Sequence, residues 1–507
     1  MPQKIIIEKN EIKKIAREKA NGKKIILCHG AFDLVHPGHM NHFQEAKSYG
    51  DILVVTITAD KFIKKNIHSP FFNQEVRKNF LKNIKIIDYV FIINDLTALP
   101  AIEKLKPDIY CKGIEYKKTD NIGNLNREKK ALLKNKGKLQ FLGKNIQSSS
   151  KIISNKLFKL EDKKLLEFLK KINFSQLINI IEKIQNLKVL VIGETIIDNY
   201  TYVKTSGVSP KSNTLSCIEI KNKYMPGGSL ATYRFLSSFI KKVSHVSIIN
   251  DNKKNNFYSN IIKMSPDIIK SKNYKKLIKK RIIEGGINTS LNKILTLNEF
   301  NESDLSLVDE NLILKKLKQK ILNVDLVIAQ DFGHGFFTKR IINLLQSKSK
   351  KLSINVQTNS LNYGFNIINR KYKKVDYFSL DERELQLYAS QKELKYEKSL
   401  KDLTKELSAK KGFLTCGGKF SLLFSENKFL KVPILNKKAI DTVGAGDIFH
   451  AMASVLSSVT KDDHLNIFMS QVAGAHAVEI VGNSDYPKLS EIVNTLKFYQ
   501  SFLKTKQ

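Results

Sequence analysis

Cys28-His29-Gly30-Ala31-Phe32-Asp33-Leu34-Val35-His36-Pro37-Gly38-His39 is the stretch on which the fold of the first third of the chain turns. The apolar run before it, residues 24–28, reads as a buried strand, and residues 36–49 read as a helix. A strand passing through a glycine-containing bend into a helix is the building unit of a parallel α/β domain. The start of such a helix carries backbone N–H donors and partial positive charge, so a polyphosphate can settle there. His36 and His39 can both face that end and donate hydrogen bonds to oxygens gaining charge at an α-phosphorus. A Cβ at Gly38 would crowd a nucleotide, so glycine keeps the approach open. The chemistry implied is in-line attack by a substrate phosphate on a nucleoside triphosphate. Pyrophosphate leaves without a covalent intermediate, and Mg²⁺ neutralises the remaining charge. Two histidines in a turn, taken alone, are also compatible with metal binding or chance, the less favoured reading.

Working outward, residues 52–58, 89–93 and 108–112 read as further strands. From 157 to 187 the pattern becomes helical, with Leu165, Phe168, Leu169 and Ile172 forming one apolar stripe among lysines. A second strand series opens at 189–193 and continues through 325–329, 353–356 and 413–415. The expected architecture is α/β in two domains. These are an N-terminal Rossmann-like domain over 1–157, a helical connector over 158–174, and a second α/β domain over 175–507.

A chain of 507 residues with 42% hydrophobic and 26% charged residues can bury a core, which excludes a largely disordered protein. Its net charge of +38 raises nucleic acid or an anionic membrane as partner. Lysine supplies that charge almost alone, 78 residues against eight arginines spread along the whole length. Arginine is the better residue for bidentate phosphate and base contacts, so solvated faces are expected, with no specific nucleic acid and no membrane insertion. Cys28, Cys111, Cys217 and Cys416 lie far apart with no zinc-ligand spacing, which fits a reducing cytoplasm. The start Met1-Pro2-Gln3-Lys4 lacks a signal-peptide core, and the apolar runs are too short to span a bilayer.

Near the other end, Asp441-Thr442-Val443-Gly444-Ala445-Gly446-Asp447 leads into the apolar helical run Ile448-Phe449-His450-Ala451-Met452. Two glycines let backbone N–H groups turn toward a phosphate at the helix start, and an aspartate in the first turn can take a proton from an attacking hydroxyl. Transfer of a γ-phosphoryl group needs positioning, an anion hole and a base, and this segment supplies the last two. A plain helix N-cap is the simpler alternative. The Gly418-Lys419 pair lacks the following Ser or Thr of a P-loop.

The first region resembles the cytidylyltransferase-like nucleotidyltransferases, and most closely the adenylyltransferase half of the bacterial ADP-heptose synthases. The resemblance covers about residues 23–155. It is carried by the 29–39 turn, Gly50-Asp51-Ile52-Leu53-Val54-Val55, Asp60, Glu75, Arg77, Asp88-Tyr89-Val90, Lys106-Pro107-Asp108, Lys112-Gly113-Ile114-Glu115-Tyr116 and Ser148-Ser149-Ser150-Lys151-Ile152-Ile153. It implies His36 and His39 as catalytic residues and Gly30, Phe32, Asp33, Gly38, Lys112, Gly113, Ser148, Ser149 and Ser150 as nucleotide-binding residues. The sequence departs from the family at Ala31, where Cys or Thr is usual, and matches its basic loop only through Lys64 and Lys65. An HxGH turn followed by Ser-Lys is similar to class I aminoacyl-tRNA synthetases as well, but the roughly 110 residues between them are few for such a catalytic domain.

Residues 175–500 resemble the PfkB or ribokinase-like sugar kinases. The likeness runs through Val191-Ile192-Gly193-Glu194, Asp198, Ser209-Pro210, Pro226-Gly227-Gly228, Asp331-Phe332-Gly333-His334-Gly335, Thr415-Cys416-Gly417-Gly418 and the 441–447 segment. It implies Asp447 as catalytic base, Asp198, Gly227 and Gly228 on sugar hydroxyls, and Thr415, Gly417, Gly418, Gly444, Ala445 and Gly446 at ATP. Asp381 and Glu384, in Asp381-Glu382-Arg383-Glu384, stand at the family's Asn-x-x-Glu metal and phosphate motif and would hold Mg²⁺. Ala231 replaces the usual Asn after the Gly-Gly pair, and His334 replaces a usual Lys.

Together the two resemblances imply a bifunctional, cytoplasmic, sugar-activating homo-oligomer for surface glycans such as lipopolysaccharide or capsule. It would use ATP in the kinase half and ATP or CTP in the transferase half. The ADP-heptose synthases carry the kinase half first, so the order here is reversed. The alternative is a nucleotidyltransferase whose kinase-like domain is a silent sensor or dimerisation platform.

Overall fold

The computed structural model describes residues 5–6, 9–63, 70–114, 124–143, 163–250, 260, 263–284, 291–299, 305–360, 362–435 and 439–504. The chain divides into two compact units, residues 1–161 with 497–507, and residues 162–496.

In the first unit a six-stranded sheet is built from β1 (Ile5–Ile6), β2 (Ile25–Gly30), β3 (Ile52–Thr58), β4 (Tyr89–Ile93), β5 (Ile109–Gly113) and β6 (Lys138–Leu142). Their spatial order is β1-β4-β3-β2-β5-β6, parallel throughout except for the short β1 at the edge. All seven residues of β3 are buried, as continuous Ile/Leu/Val runs require when both faces are covered. One core, around Ile26, Cys28, Phe43 and Val55, lies on one face, and a second, around Leu27, Val54, Phe91 and Ile102, on the other. The chain runs from β2 outward through β3 and β4, then returns to β5 on the other flank. The topological switch point therefore falls between β2 and β5, beside the start of the helix Pro37–Lys47, where open α/β sheets bind ligands.

The second unit begins with a helix, Lys163–Lys170, whose expected stripe is buried at Leu165, Phe168 and Leu169, while Ile172, also buried, lies just past the end of the helix. The Phe168 ring lies against His464 and Phe468 of the helix Asp463–Ala477. The strands are β7 (Lys188–Gly193), β8 (Thr195–Val208), β9 (Leu215–Gly228), β10 (Lys242–Val246), β11 (Ile248–Asn250), β12 (Ile269–Ser271), β13 (Ile278–Glu284), β14 (Asn292–Glu299), β15 (Leu326–Asp331), β16 (Leu352–Val356), β17 (Tyr377–Asp381), β18 (Lys411–Thr415), β19 (Phe420–Ser425) and β20 (Lys428–Pro433). The main sheet has the order β10-β7-β15-β16-β17-β18-β19-β20, parallel up to β18 and closed by an antiparallel hairpin.

A separate four-stranded sheet, β14-β13-β8-β9, stands beside it, and a short parallel pair joins β11 to β12. The outer half of β9 and nearly all of β14 are exposed, so this sheet is held by its inner ends. Among the described residues no helix is long and apolar enough to cross a membrane. The four cysteines are free thiols.

Candidate functional sites

In the first unit the bend after β2 brings two imidazoles together at a helix start. His36 is the N-cap of Pro37–Lys47. Its Nδ1 accepts the Gly38 N–H at 3.1 Å, and His39 Nδ1 accepts the His36 N–H at 3.3 Å, a reciprocal capping box made of two histidines. The rings lie 4.1 Å apart. A nitrogen that accepts a backbone N–H carries no proton, so in each neutral ring the proton sits on Nε2. Both histidines therefore present Nε2–H donors, and the sequence expectation that the first N–H groups of this helix await a phosphate is corrected for His36 and Gly38. Burial lowers the His36 pKa, and its Nε2 is buried with no hydrogen-bond partner among the described residues.

Around this pair the structure gives local reasons for the neighbouring residues. Phe32 adopts a left-handed backbone, φ 44°, and its ring lies 5.4 Å from His39 and 5.2 Å from Phe43. A Cβ on Gly30 would press on that ring at 3.1 Å, so glycine at 30 makes room for Phe32. The buried Asp33 carboxylate accepts the N–H groups of Phe71 and Phe72 at 2.8 and 2.9 Å. Arg77 braces the same bend, donating to the carbonyls of Ala31 and Phe72 and to Asp60.

At the ends of β2, β3 and β5, His29 bonds Thr56 at 2.9 Å and Thr58 at 3.3 Å, while Lys112 pairs with Glu128 at 2.8 Å. Burial, aided by the Lys112 charge, drives His29 down to about 4, so it is neutral. Gly38 and Gly113 sit at the helix start and the end of β5, on the same rim. Ser148, Ser149 and Ser150, with Lys64 and Lys65, lie outside the described residues.

The second unit encloses a cavity of about 330 Å³. Of the residues singled out in the sequence, Asp198, Gly228, Asp381, Glu384, Thr415, Gly444, Gly446 and Asp447 line it. Gly227, Ala445, Gly417 and Gly418 do not. Gly227 packs directly under the Asp198 carboxylate, and Gly417 and Gly418 form the turn between β18 and β19.

Asp447 stands in the first turn of the helix Ala445–Val459. Burial pushes its carboxyl up to about 7, against a hydrogen bond from Gln357. Gly444 caps that helix in a left-handed conformation, φ 80°, pressed against Asn483, so a side chain there would meet both strain and a clash. Asp198 is ion-paired with Arg281 and accepts Asn483 Nδ2 at 2.9 Å. An amide thus stands beside Asp198 although Ala231, on the helix Ser229–Ser237, has none.

Asp381 and Glu384 form a capping box. Asp381 accepts the Glu384 N–H and Glu384 accepts the Asp381 N–H, both at 2.8 Å. Burial raises the pKa of both carboxyls, a penalty that a bound cation would relieve. Among the described residues no cluster of three or more His, Cys, Asp or Glu is placed to hold a metal. His334 is buried and driven down to about 3 by burial and by Lys279 and Lys275, so it is a neutral ring where the family has a cation.

The 331–335 turn that carries His334 is anchored by Glu194, whose carboxylate accepts the N–H groups of Phe332 and His334 at 3.2 and 3.1 Å. Sequence reasoning missed Lys279, Arg281, Asn355, Gln357 and Asn483, all of which line the cavity. The only signal for the first two is their i, i+2 spacing on β13, which places both side chains on one face.

Comparison with known proteins agrees with both halves. Residues 27–156 match the cytidylyltransferase-like family, and residues 186–479, more than half of the chain, match the pfkB family of carbohydrate kinases. The bifunctional protein HldE of Aliarcobacter butzleri is 38% identical over 116 residues, 22% of this chain and 24% of that protein. The bifunctional protein HldE of Geobacter metallireducens is 42% identical over 104 residues, 20% of this chain and 21% of that protein. These alignments concern the N-terminal domain and span about a quarter of the relatives' own length. A ribokinase structure from Thermotoga maritima aligns over 61% of this chain and 99% of its own, at 18% identity and a TM-score of 0.46. The chain belongs to the pfkB family of carbohydrate kinases, with a cytidylyltransferase-like domain preceding the kinase domain.

Proposed function

We propose that this protein is a bifunctional sugar-activating enzyme. Its C-terminal domain, from about residue 175, phosphorylates a sugar or sugar phosphate with ATP. Its N-terminal domain, up to about residue 157, transfers AMP or CMP from a nucleoside triphosphate to a heptose-like sugar 1-phosphate and releases pyrophosphate. The observation that carries the reading is Asp447, a carboxylate at a helix start, poised near neutrality in the cavity that also holds Asp198. A general base works best when its pKa lies near the working pH.

In the kinase reaction Asp447 takes the proton of the attacking hydroxyl, and the N–H groups of 444–446 receive the transferred phosphoryl oxygens. Asp198 with Gly227 and Gly228 orients the sugar, while Thr415, Gly417 and Gly418 face ATP. Asp381 and Glu384 would hold a Mg²⁺ ion, which when bound supplies charge neutralisation at the ATP phosphates. Two carboxylates suffice because Mg²⁺ keeps several water and phosphate ligands.

In the transferase reaction the Nε2–H groups of His36 and His39 donate to the α-phosphate. Gly30, Phe32, Asp33, Gly38, Lys112, Gly113 and the 148–150 serines shape the nucleotide site. The product would feed a surface glycan such as lipopolysaccharide or capsule, with the enzyme in the cytoplasm and assembled as a homo-oligomer. The test is incubation of the purified protein with ATP or CTP and a panel of sugars and sugar phosphates, with products identified by mass. The account expects a new phosphorylated sugar and a nucleotide-linked sugar. Nucleotide-linked product without any phosphorylated sugar would favour the silent kinase domain instead.

A further inference from the structure

Asp441, at the root of the turn that leads to Asp447, has a fully buried side chain that nevertheless carries an ion pair. Its Oδ1 accepts Lys293 Nζ at 2.7 Å and the Val443 N–H at 3.2 Å. Its Oδ2 accepts Tyr200 Oη–H at 2.6 Å and the Gly482 N–H at 2.8 Å. Burial pushes the Asp441 carboxyl up, but the hydrogen bonds from Lys293 and Tyr200 outweigh it, and the group stays anionic. Three of these donors belong to rigid neighbours. Tyr200 lies on β8 and is itself fully buried, and Val443 and Gly482 are backbone amides.

Lys293 differs from them. It comes from β14, which among the described residues is an edge strand paired with β13 alone, and it is exposed along most of its length. Its ammonium therefore joins an exposed edge strand, paired along its length with β13, to the segment that carries the phosphoryl-binding amides.

We propose that Lys293 is a positioning residue of the kinase site, a built-in cation that clips β14 to Asp441 and so fixes the orientation of the 442–447 turn. The inference rests on the kinase reading above. Removing the ammonium leaves a buried carboxylate with amide and hydroxyl donors and, for countercharge, the Arg281 guanidinium, which is already paired with Asp198; the deficit either rearranges the turn or draws in a small cation from solvent. The amide groups of the turn act by exact placement, and small displacements of such groups are costly in rate.

The test compares Lys293→Met and Lys293→Arg with the wild type in sugar phosphorylation, in ammonium chloride and in tetramethylammonium chloride at equal ionic strength. For Lys293→Met, kcat is expected to fall about tenfold or more with sugar KM within about twofold, as loss of transition-state positioning implies. Ammonium, which fits the emptied place of the lysine head, should recover part of the loss, and tetramethylammonium should not. Lys293→Arg should keep most of the wild-type kcat. A Lys293→Met enzyme with unchanged kcat, or one whose loss responds equally to both salts, overturns the proposal, even if its melting temperature has fallen. Should the Met variant fail to fold, Lys293→Gln gives the same comparison.

Failure of the kinase reading is distinguishable, because the wild type would then phosphorylate nothing in the panel. In that case amide exchange decides. Faster exchange over 441–447 and over β14 in Lys293→Met supports the clip, and unchanged exchange over 441–447 refutes it.

Discussion

Gln357 Nε2 donates to Asp447 Oδ1 at 2.5 Å across the floor of the kinase cavity, and Asn355 Oδ1 accepts the same Gln357 amide at 2.7 Å. The amide holds one oxygen of the proposed base, and among the described residues Asp447 Oδ2 accepts no hydrogen bond. Burial raises the carboxyl toward neutrality and the Gln357 hydrogen bond works in the opposite sense. Activity as a base needs the ionised form. The kinase kcat/KM should therefore climb with pH and level off above about 7. In Gln357→Leu the donor is gone, so the climb should move to higher pH and the plateau should drop. A pH–rate series with ADP release as readout checks this, and an unshifted profile would remove Gln357 from the account.

The same carboxyl makes a stability prediction. In the unfolded chain Asp447 ionises near 3.8, whereas in the fold its pKa is raised to about 7. Ionisation is thus disfavoured by folding. Its cost is absent below the unfolded value, grows as pH rises toward the folded value, and then stays constant. Asp447→Asn should consequently melt higher than the wild type at pH 8, and the advantage should shrink toward zero near pH 4. Melting curves at the two pH values decide it. An equal difference at both would mean that the carboxyl is not perturbed.

In the other domain, the two histidines cap a helix, and substitution can separate that work from the chemistry proposed for them. His36→Ala removes an N-cap, which costs about 1 kcal/mol in typical helices, together with one Nε2–H donor. His36→Asn restores a capping oxygen for the Gly38 N–H but offers no donor at the Nε2 position. The Asn variant should recover stability relative to Ala while both lose nucleotidyl transfer, with sugar phosphorylation unaffected. Transfer restored by Asn would reduce His36 to a cap.

Glu128 predicts an asymmetry between partners. It accepts the Ala98 N–H at 2.8 Å, Tyr110 Oη–H at 3.3 Å and the Lys112 ammonium, all in buried surroundings. Glu128→Leu removes the one acceptor that three donors share, one of them charged, whereas Lys112→Met leaves the carboxylate with two donors. Chemical denaturation should therefore show the larger loss of stability for Glu128→Leu. The reverse order would mean that the pair is solvated in solution.

Eight strands of the two main sheets were legible because their apolar runs are continuous, whereas β6, β10 and β17 were not read; the glycine bends at 30–39 and 441–447 were legible because glycine, histidine and aspartate in a short span constrain one another locally. Less of the surroundings was legible. The four-stranded sheet carries little buried alternation, since Ile218, Ile220, Leu295 and Leu297 are all exposed. Lys279 and Arg281 are hidden in a chain with so many lysines that two more carry no signal. Gln357 and Asn483 reach the cavity from the end of β16 and from the loop after Asp463–Ala477, far in sequence from Asp198. The donor state of the paired histidines depended on which nitrogen each spends on the helix, which only geometry fixes.

The central claim, two chemistries in two separate sites, is tested most directly by assaying Asp447→Asn and His39→Ala side by side for ADP release from ATP with sugars and pyrophosphate release with sugar 1-phosphates. The account predicts that Asp447→Asn loses the first and keeps the second, and that His39→Ala does the opposite. An Asp447→Asn protein that still phosphorylates sugars at the wild-type rate, or a His39→Ala protein that still releases pyrophosphate, contradicts it.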